Sequence, residues 1–175
     1  MSRKQVSYLT NERTMALVPV ANERFGTRVY EEGTNFYIKE RPIELIKAAC
    51  LEGGSSYSGR VAAVKHQTGQ RNKCPIPICP RRGIYAYPTH SSKSFHCSWL
   101  FVSHIKTIIS RTSKANKETT IVFHDGQQII LGVSSYIIEQ QMNRAARCFM
   151  VFSEGGQRRF EDRGYSYIFE RHCKD

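Results

Sequence analysis

The stretch Gly54-Ser55-Ser56-Tyr57-Ser58-Gly59-Arg60 surrounds one arginine with hydroxyls and backbone N–H groups, a composition suited to cradling a phosphate. A plain turn at the end of a helix uses the same small residues, so both readings stand at this level. The spacing is not that of a P-loop, which must end in Gly-Lys-Ser/Thr. Nor is it a nucleophile elbow, because Ser58 stands where the last glycine of that motif belongs. A second set, Cys74-Pro75-Ile76-Pro77-Ile78-Cys79 with His96-Cys97 beyond, contains four potential zinc ligands. Adjacent His96 and Cys97 would point to opposite faces of a strand, so core and surface thiols are the preferred reading, with no bound metal or other cofactor expected.

Charge gives the phosphate reading its context. Residues 53 to 117 hold no Asp or Glu but eleven Lys and Arg: Arg60, Lys65, Arg71, Lys73, Arg81, Arg82, Lys93, Lys106, Arg111, Lys114 and Lys117. The rest of the chain is balanced, so this stretch supplies the whole net charge of +11. Like charges repel, and a fold gains nothing internally from concentrating them. The general reason to tolerate them is a polyanionic partner, of which nucleic acid is the commonest.

Aromatic residues are interleaved with these cations at Tyr57, Tyr85, Tyr87, Phe95 and Trp99. Flat rings stack on bases or wedge between steps, but they also fill cores. Tyr85, Tyr87 and Trp99 fall in predicted strands and are read as core. Arg71, Lys73, Arg81 and Arg82 fall in Pro-rich loops and are read as phosphate contacts, while the lysines at 106, 114 and 117 fit either role. Catalysis has little to stand on: a metal-dependent nuclease needs carboxylates near its phosphates, and the basic stretch has none.

The elements that must position these residues follow from periodicity and punctuation. Short strands are expected at Met15–Val18, Thr27–Tyr30, Asn35–Lys39, Val61–Val64 and Ile84–Tyr87, with Pro19 marking a sheet edge or strand end. Pro42 opens a helix that places Ile43, Ile46 and Cys50 on one face and stops at Gly53-Gly54. The β-branched run Ser98–Ile109 reads as one core strand. Thr120–His124 and Gln127–Leu131 flank Asp125-Gly126, a two-residue hairpin turn. Ser134 or Ser135 then caps a second helix whose apolar stripe is Ile138, Met142, Ala145 and Phe149.

The expected class is therefore α+β: one domain of mainly antiparallel strands with two short-to-medium helices. A flexible N-terminus is expected over 1–12, the nucleic-acid-binding domain over 13–153 and a charged tail over 154–175. The apolar runs are too short to cross a bilayer, and Met1–Gln5 leads into no apolar h-region. A cytoplasmic, nucleoid-associated protein without a membrane partner is expected, its cysteines reduced.

At this point the residues resemble a known family, the bacterial competence transcription factors (ComK). Gly54–Arg60 is similar to that family's Gly-Ser-Ser-Tyr-(small)-Gly-Arg element, and Tyr87-Pro88-Thr89-His90-Ser91-Ser92 to its Phe-Pro-Thr-x-Ser-Ser. Cys97-Ser98-Trp99, Ser103-His104, Asp125-Gly126, Ser135-Tyr136, Glu139-Gln140 and Arg144-Ala145 follow in the family's order, so the likeness runs from about residue 35 to 150. The resemblance implies an activator of DNA-uptake genes that binds paired A-rich and T-rich boxes of double-stranded DNA through the minor groove, as a homo-oligomer. RNA polymerase and a proteolytic adaptor are the further partners of such an activator. The chain departs from the family between Lys65 and Arg82, which includes Cys74 and Cys79. It also departs at the C-terminus, which lacks the Phe-Met-Leu-Tyr-Pro segment of adaptor recognition; Phe149-Met150-Val151-Phe152 is only superficially like it. The residues expected at DNA are Ser55, Ser56, Tyr57, Arg60, Arg71, Lys73, Arg81, Arg82 and Lys93. The alternative is a general nucleic-acid-binding protein with a loop stabilised by zinc at Cys74, Cys79 and Cys97.

Overall fold

Strand β5 (Ile84–Pro88) divides the core in two. Side chains alternate along a strand, so Ile84 and Ala86 face one apolar layer while Tyr85 and Tyr87 face another. The computed structural model describes residues 7–111 and 117–153. The tail from 154 onward, with its Tyr165, Tyr167 and Phe169, lies outside them, as does Lys114.

Six antiparallel strands form the main sheet: β1 (Thr14–Pro19), β2 (Thr27–Glu31), β3 (Thr34–Ile38), β4 (Ile76–Cys79), β5 and β6 (Trp99–Phe101), in the order β3-β2-β1-β6-β5-β4. Helix α1 (Pro42–Glu52) covers one face, burying Leu45, Ile46, Ala49 and Cys50 against Leu17, Trp99 and Phe101. On the other face lie helix α3 (Ser135–Phe152) and a smaller antiparallel sheet, β7 (Ile105–Ser110), β8 (Thr119–Phe123) and β9 (Gln128–Leu131), ordered β7-β8-β9. The stripe Ile138, Met142, Ala145 and Phe149 is fully engaged there, as its period predicts. Ser134 is the residue that caps α3. Pro19 ends β1, a central strand, where its missing donor costs little.

Four expectations change. Val61–Val64 is not a strand but the middle of a third helix, α2 (Tyr57–Thr68). Ser56 starts this helix by accepting the Gly59 N–H at 3.0 Å, and Gly69, at φ 73°, ends it in the left-handed conformation. Val61 and Val64, three apart, share the inward side and join the two apolar layers past strand β4. Ile76–Cys79, read as part of a loop, is the edge strand β4, where Pro77 is tolerated because no strand among the described residues pairs beyond it.

The run Ser98–Ile109 is broken. A single 3-10 turn at Val102–His104 carries the chain from β6 to β7 and so from one sheet to the other. His104 is buried in that corner, its Nε2 donating to the Glu12 carbonyl at 2.8 Å with Glu32 3.3 Å from Nδ1. Burial holds this imidazole below its ordinary value in spite of those two acceptors. Four residues, 124–127, separate β8 from β9, two more than expected, and the turn proper is His124–Gly126. The Phe123 N–H donates to Gln127, and Gly126 takes φ 90°. Its tip locks the sheets together: the Gly33 N–H donates to Asp125 at 2.9 Å, and Gln127 Nε2 to the Glu31 carbonyl at 2.7 Å. At the N-terminal end, Ser7 bonds Glu40, and the Tyr8 hydroxyl bonds Thr14 at 2.6 Å.

Candidate nucleic-acid interface

Three of the residues singled out by sequence meet in one cleft. Ser56 caps α2, Tyr57 is that helix's first residue, and Lys93 comes from the loop between β5 and β6. Together with Arg41 and Lys47 of the α1 region and the hydroxyls of Ser58 and Ser92, they line a cavity of about 690 Å³. The hydroxyls are ordered before any ligand arrives: Ser56 Oγ lies 3.1 Å from Ser58 Oγ, and Ser55 Oγ donates to the Ser56 carbonyl at 3.4 Å. Gly59 is what leaves room for them, since a Cβ there would stand 2.9 Å from Ser55 Oγ and 3.2 Å from Ser56 Oγ.

Tyr57 spans cleft and core. Its ring meets Trp99 edge-on at 6.3 Å, and its hydroxyl bonds Ser92, tying the loop to the helix. Burial pushes this phenol above its ordinary value. Arg41, Lys47 and Lys93 are exposed around the rim. The first-turn N–H groups of α2 have no intrahelical acceptor beyond the cap and add positive potential. Three cations, three hydroxyls and a helix start on one concave surface are suited to one or two backbone phosphates.

Arg71 and Lys73 reach the same end of the sheet by another route. The loop after α2 carries them, and Gln141 of α3 holds that loop and the β5–β6 loop in one grip. Its Nε2 donates to the Lys73 carbonyl at 2.9 Å and to the Pro88 carbonyl at 2.8 Å. Arg144 adds bonds to Gln141 Oε1 at 3.0 Å and to the Asn72 carbonyl at 3.4 Å. Lys73 itself sits at φ 49°, a conformation that needs such support outside glycine. Nearby, burial together with Lys73 and His96 holds the His90 imidazole below its ordinary value, so it adds no charge at pH 7.

Arg60 is placed differently from its neighbours in the motif. Its Nη2 donates to the carbonyl of Gly53 at 2.6 Å and of Ile78 at 3.3 Å, joining the end of α1 to β4. Arg81 and Arg82 lie in the 3-10 turn between β4 and β5, at the opposite end of β5 from Lys93. Five residues of strand put roughly 17 Å between the two ends. Arg81 is exposed. Arg82 forms a two-pronged ion pair with Glu12, a carboxylate from outside the acid-free stretch.

The Arg82 contact holds the Glu12 carboxyl down to about 2, from an ordinary 4.5. The pair is therefore intact above pH 4.5 and lost only as pH falls toward 2. Exposed pairs contribute little stability, but this one engages the Arg82 guanidinium on both prongs. Glu12→Gln should leave thermal stability nearly unchanged and strengthen duplex binding a few-fold. It should also steepen the salt dependence by about 0.9 in log–log slope, for one added phosphate contact. An unchanged slope would mean that Arg82 meets no phosphate.

Sequence reasoning missed Arg41 and Lys47, which lie outside the acid-free stretch, and it missed Gln141. Gln141 alone had a readable signal: a glutamine three residues after Ile138 and four before Ala145 stands on the buried side of an amphipathic helix. The zinc set is not assembled: among the described residues no three His, Cys, Asp or Glu side chains cluster as ligands. Cys74 instead donates to the Gln70 carbonyl at 3.6 Å, and Cys97 to the His90 carbonyl at 3.5 Å. Among the described residues no helix is long and apolar enough to cross a membrane.

The cleft is built from Gly-Ser-Ser-Tyr-Ser-Gly and the loop that carries Ser92 and Lys93. Both lie within residues 5–155, which match the ComK protein family. The chain belongs to the ComK family. It is similar to a competence transcription factor of Bacillus subtilis (strain 168), 30% identical over 143 residues, which are 80% of this chain and 72% of that protein. No solved structure matches it. Both segments now have places in a fold. Thr89 closes the root of the β5–β6 loop by accepting the Ser98 N–H at 3.0 Å, and Trp99 is the core plate beneath Tyr57.

Proposed function

We propose that this protein is a sequence-selective, DNA-binding transcriptional activator of competence genes, and that the cleft between α1, α2 and the β5–β6 loop is its main contact with duplex DNA. The observation that carries the reading is the convergence of Arg41, Lys47 and Lys93 with the ordered hydroxyls of Ser56, Ser58 and Ser92 in that one cleft. Tyr57 holds its wall, and Ser55 supports the cap. Arg71 and Lys73 extend the positive surface at the same end of the sheet, and Arg60 acts from behind by fixing the start of α2. Arg81 meets the backbone of the same duplex farther along its axis, and Arg82 joins it only once Glu12 is neutralised.

The target is A/T-rich DNA read through the minor groove. Most of these cations sit on loops and helix ends, whereas a major-groove reader presents a row of side chains along one helix. Narrow A·T minor grooves concentrate negative potential and attract Arg and Lys, so selectivity arises from groove width and bendability. Paired boxes call for paired readers, hence a homo-oligomer working on the nucleoid in the cytoplasm. The test is fluorescence anisotropy with one duplex carrying paired A/T boxes and one GC-rich duplex, over a salt series. A preference of about tenfold or more for the A/T duplex, about 1.4 kcal/mol, is expected at every salt concentration. Coincident curves would reduce the protein to a general nucleic-acid binder.

A further inference from the structure

A second groove lies next to the phosphate cleft and shares Arg41 with it. It encloses about 720 Å³, inside the ~300–1,000 Å³ span of small-molecule sites. Phe25 and Phe95 line it together with Arg24, Lys39 and Arg41, against one carboxylate, Glu23.

Both rings are backed so that they keep their orientation. Phe25 leans on Tyr37 with 5.6 Å between centroids; Phe95 has His96 edge-on at 5.8 Å, and the Arg41 guanidinium lies 5.7 Å from its centre. Phe95 is 46% exposed, although every other aromatic interleaved with the basic stretch is buried or half-buried. A phenylalanine kept half in water on a charged loop adds little to the core, and its free area is open to a flat ligand. A simple anion would satisfy the cations but leave the rings wet. A neutral apolar ligand would cover the rings but leave an excess of positive charge unanswered.

We propose that this groove takes an unpaired nucleotide, its base against Phe95 and its phosphate toward Arg24, Lys39 and Arg41. Rings that stack on bases beside cations that track phosphates are the general means of holding unpaired nucleotides. The ligand comes either as a free mononucleotide or as part of a single strand, and the chemistry of the groove is the same for both. The inference goes beyond duplex binding and does not depend on it.

The test titrates the full chain with deoxyadenosine monophosphate by calorimetry, and separately with a fluorescent oligodeoxyadenylate, using wild type, Phe95→Ala and Phe95→Tyr. Phe95→Ala should weaken binding by roughly 10- to 100-fold, and Phe95→Tyr should restore it. The melting temperature should hold, since Phe95 is so exposed. Affinity for the A/T duplex, measured on the same samples, should also be unchanged by Phe95→Ala, which separates this groove from the duplex cleft. Binding of the mononucleotide with that pattern supports the proposal with a free ligand, and binding of the oligomer alone supports it with a single strand. Binding of neither, or equal binding by wild type and Phe95→Ala, overturns it.

Discussion

A Gly53→Ala chain should melt roughly 6–12 °C below wild type, corresponding to about 3 kcal/mol, the upper end of the usual overpacking range. The cause is proximity. A Cβ on Gly53 would stand 2.1 Å from the Ile78 carbonyl oxygen and 3.1 Å from its carbon, both backbone atoms of β4 that cannot rotate away. The dihedral is not the issue, because Gly53 has φ −75°, open to any residue. To admit the methyl group, the end of α1 must lift off the sheet. That movement breaks the Arg60 bridge to the Gly53 and Ile78 carbonyls and tilts the start of α2, where Ser56 and Tyr57 line the cleft. The neighbouring Gly54→Ala makes the contrast. Gly54 has φ 89° and nothing within 4 Å of a Cβ, so only the left-handed conformation opposes the change, at about 1–2 kcal/mol. Differential scanning calorimetry of the two variants checks the argument. Equal losses would mean that the approach of α1 to β4 is not as close as described.

Replacing Gln141 with leucine should weaken duplex binding by about tenfold or more, although Gln141 is buried and touches no ligand. The substitution keeps the volume and removes the donor shared by the Lys73 and Pro88 carbonyls. Buried acceptors left unpaired cost about 1–3 kcal/mol each, and both loops relieve that cost by moving outward to water. Lys73, at its left-handed φ, and Lys93, in the middle of the second loop, then lose their common frame. Ordering them again on DNA lowers affinity. A purely structural role would lower the melting temperature and leave affinity at 25 °C intact. The salt slope should fall along with affinity, as loosened cations contact fewer phosphates. Gln141→Glu, which loses the donor but keeps an acceptor for Arg144, should behave like the leucine variant.

What was legible in the sequence was what depends on neighbours along the chain. The α3 stripe repeats at three and four residues, Pro42 and Gly53 bracket α1, and Asp125-Gly126 marks a hairpin, so each appears about where it was expected. Helix α2 was missed because Val61 and Val64 carry strand propensity. Its helical state is fixed by the Ser56 cap, by Gly69, and by an inward side that needs β4 and α3 for company. The break at Val102–His104 was hidden because both halves of the run are β-branched and apolar, while the reason to turn lies in Glu12, 92 residues away. The site follows the same rule. The hydroxyl-rich motif and Lys93 stand out in the sequence itself, whereas Arg41 and Lys47 enter the cleft only because α1 docks beside α2. Likewise, the engagement of Arg60 by Ile78, 18 residues on, is a long-range fact with no local signature.

The most direct test of the interface is the salt dependence of duplex binding for wild type against the double variant Lys47→Gln/Lys93→Gln. Both lysines are exposed rim residues, so the fold should be unaffected. If the cleft holds backbone phosphates, the log–log slope for the A/T duplex should become shallower by close to 2, about 0.9 for each lost contact, with affinity falling in step. An unchanged slope in a fully folded double variant would place the DNA elsewhere on the molecule and contradict the account.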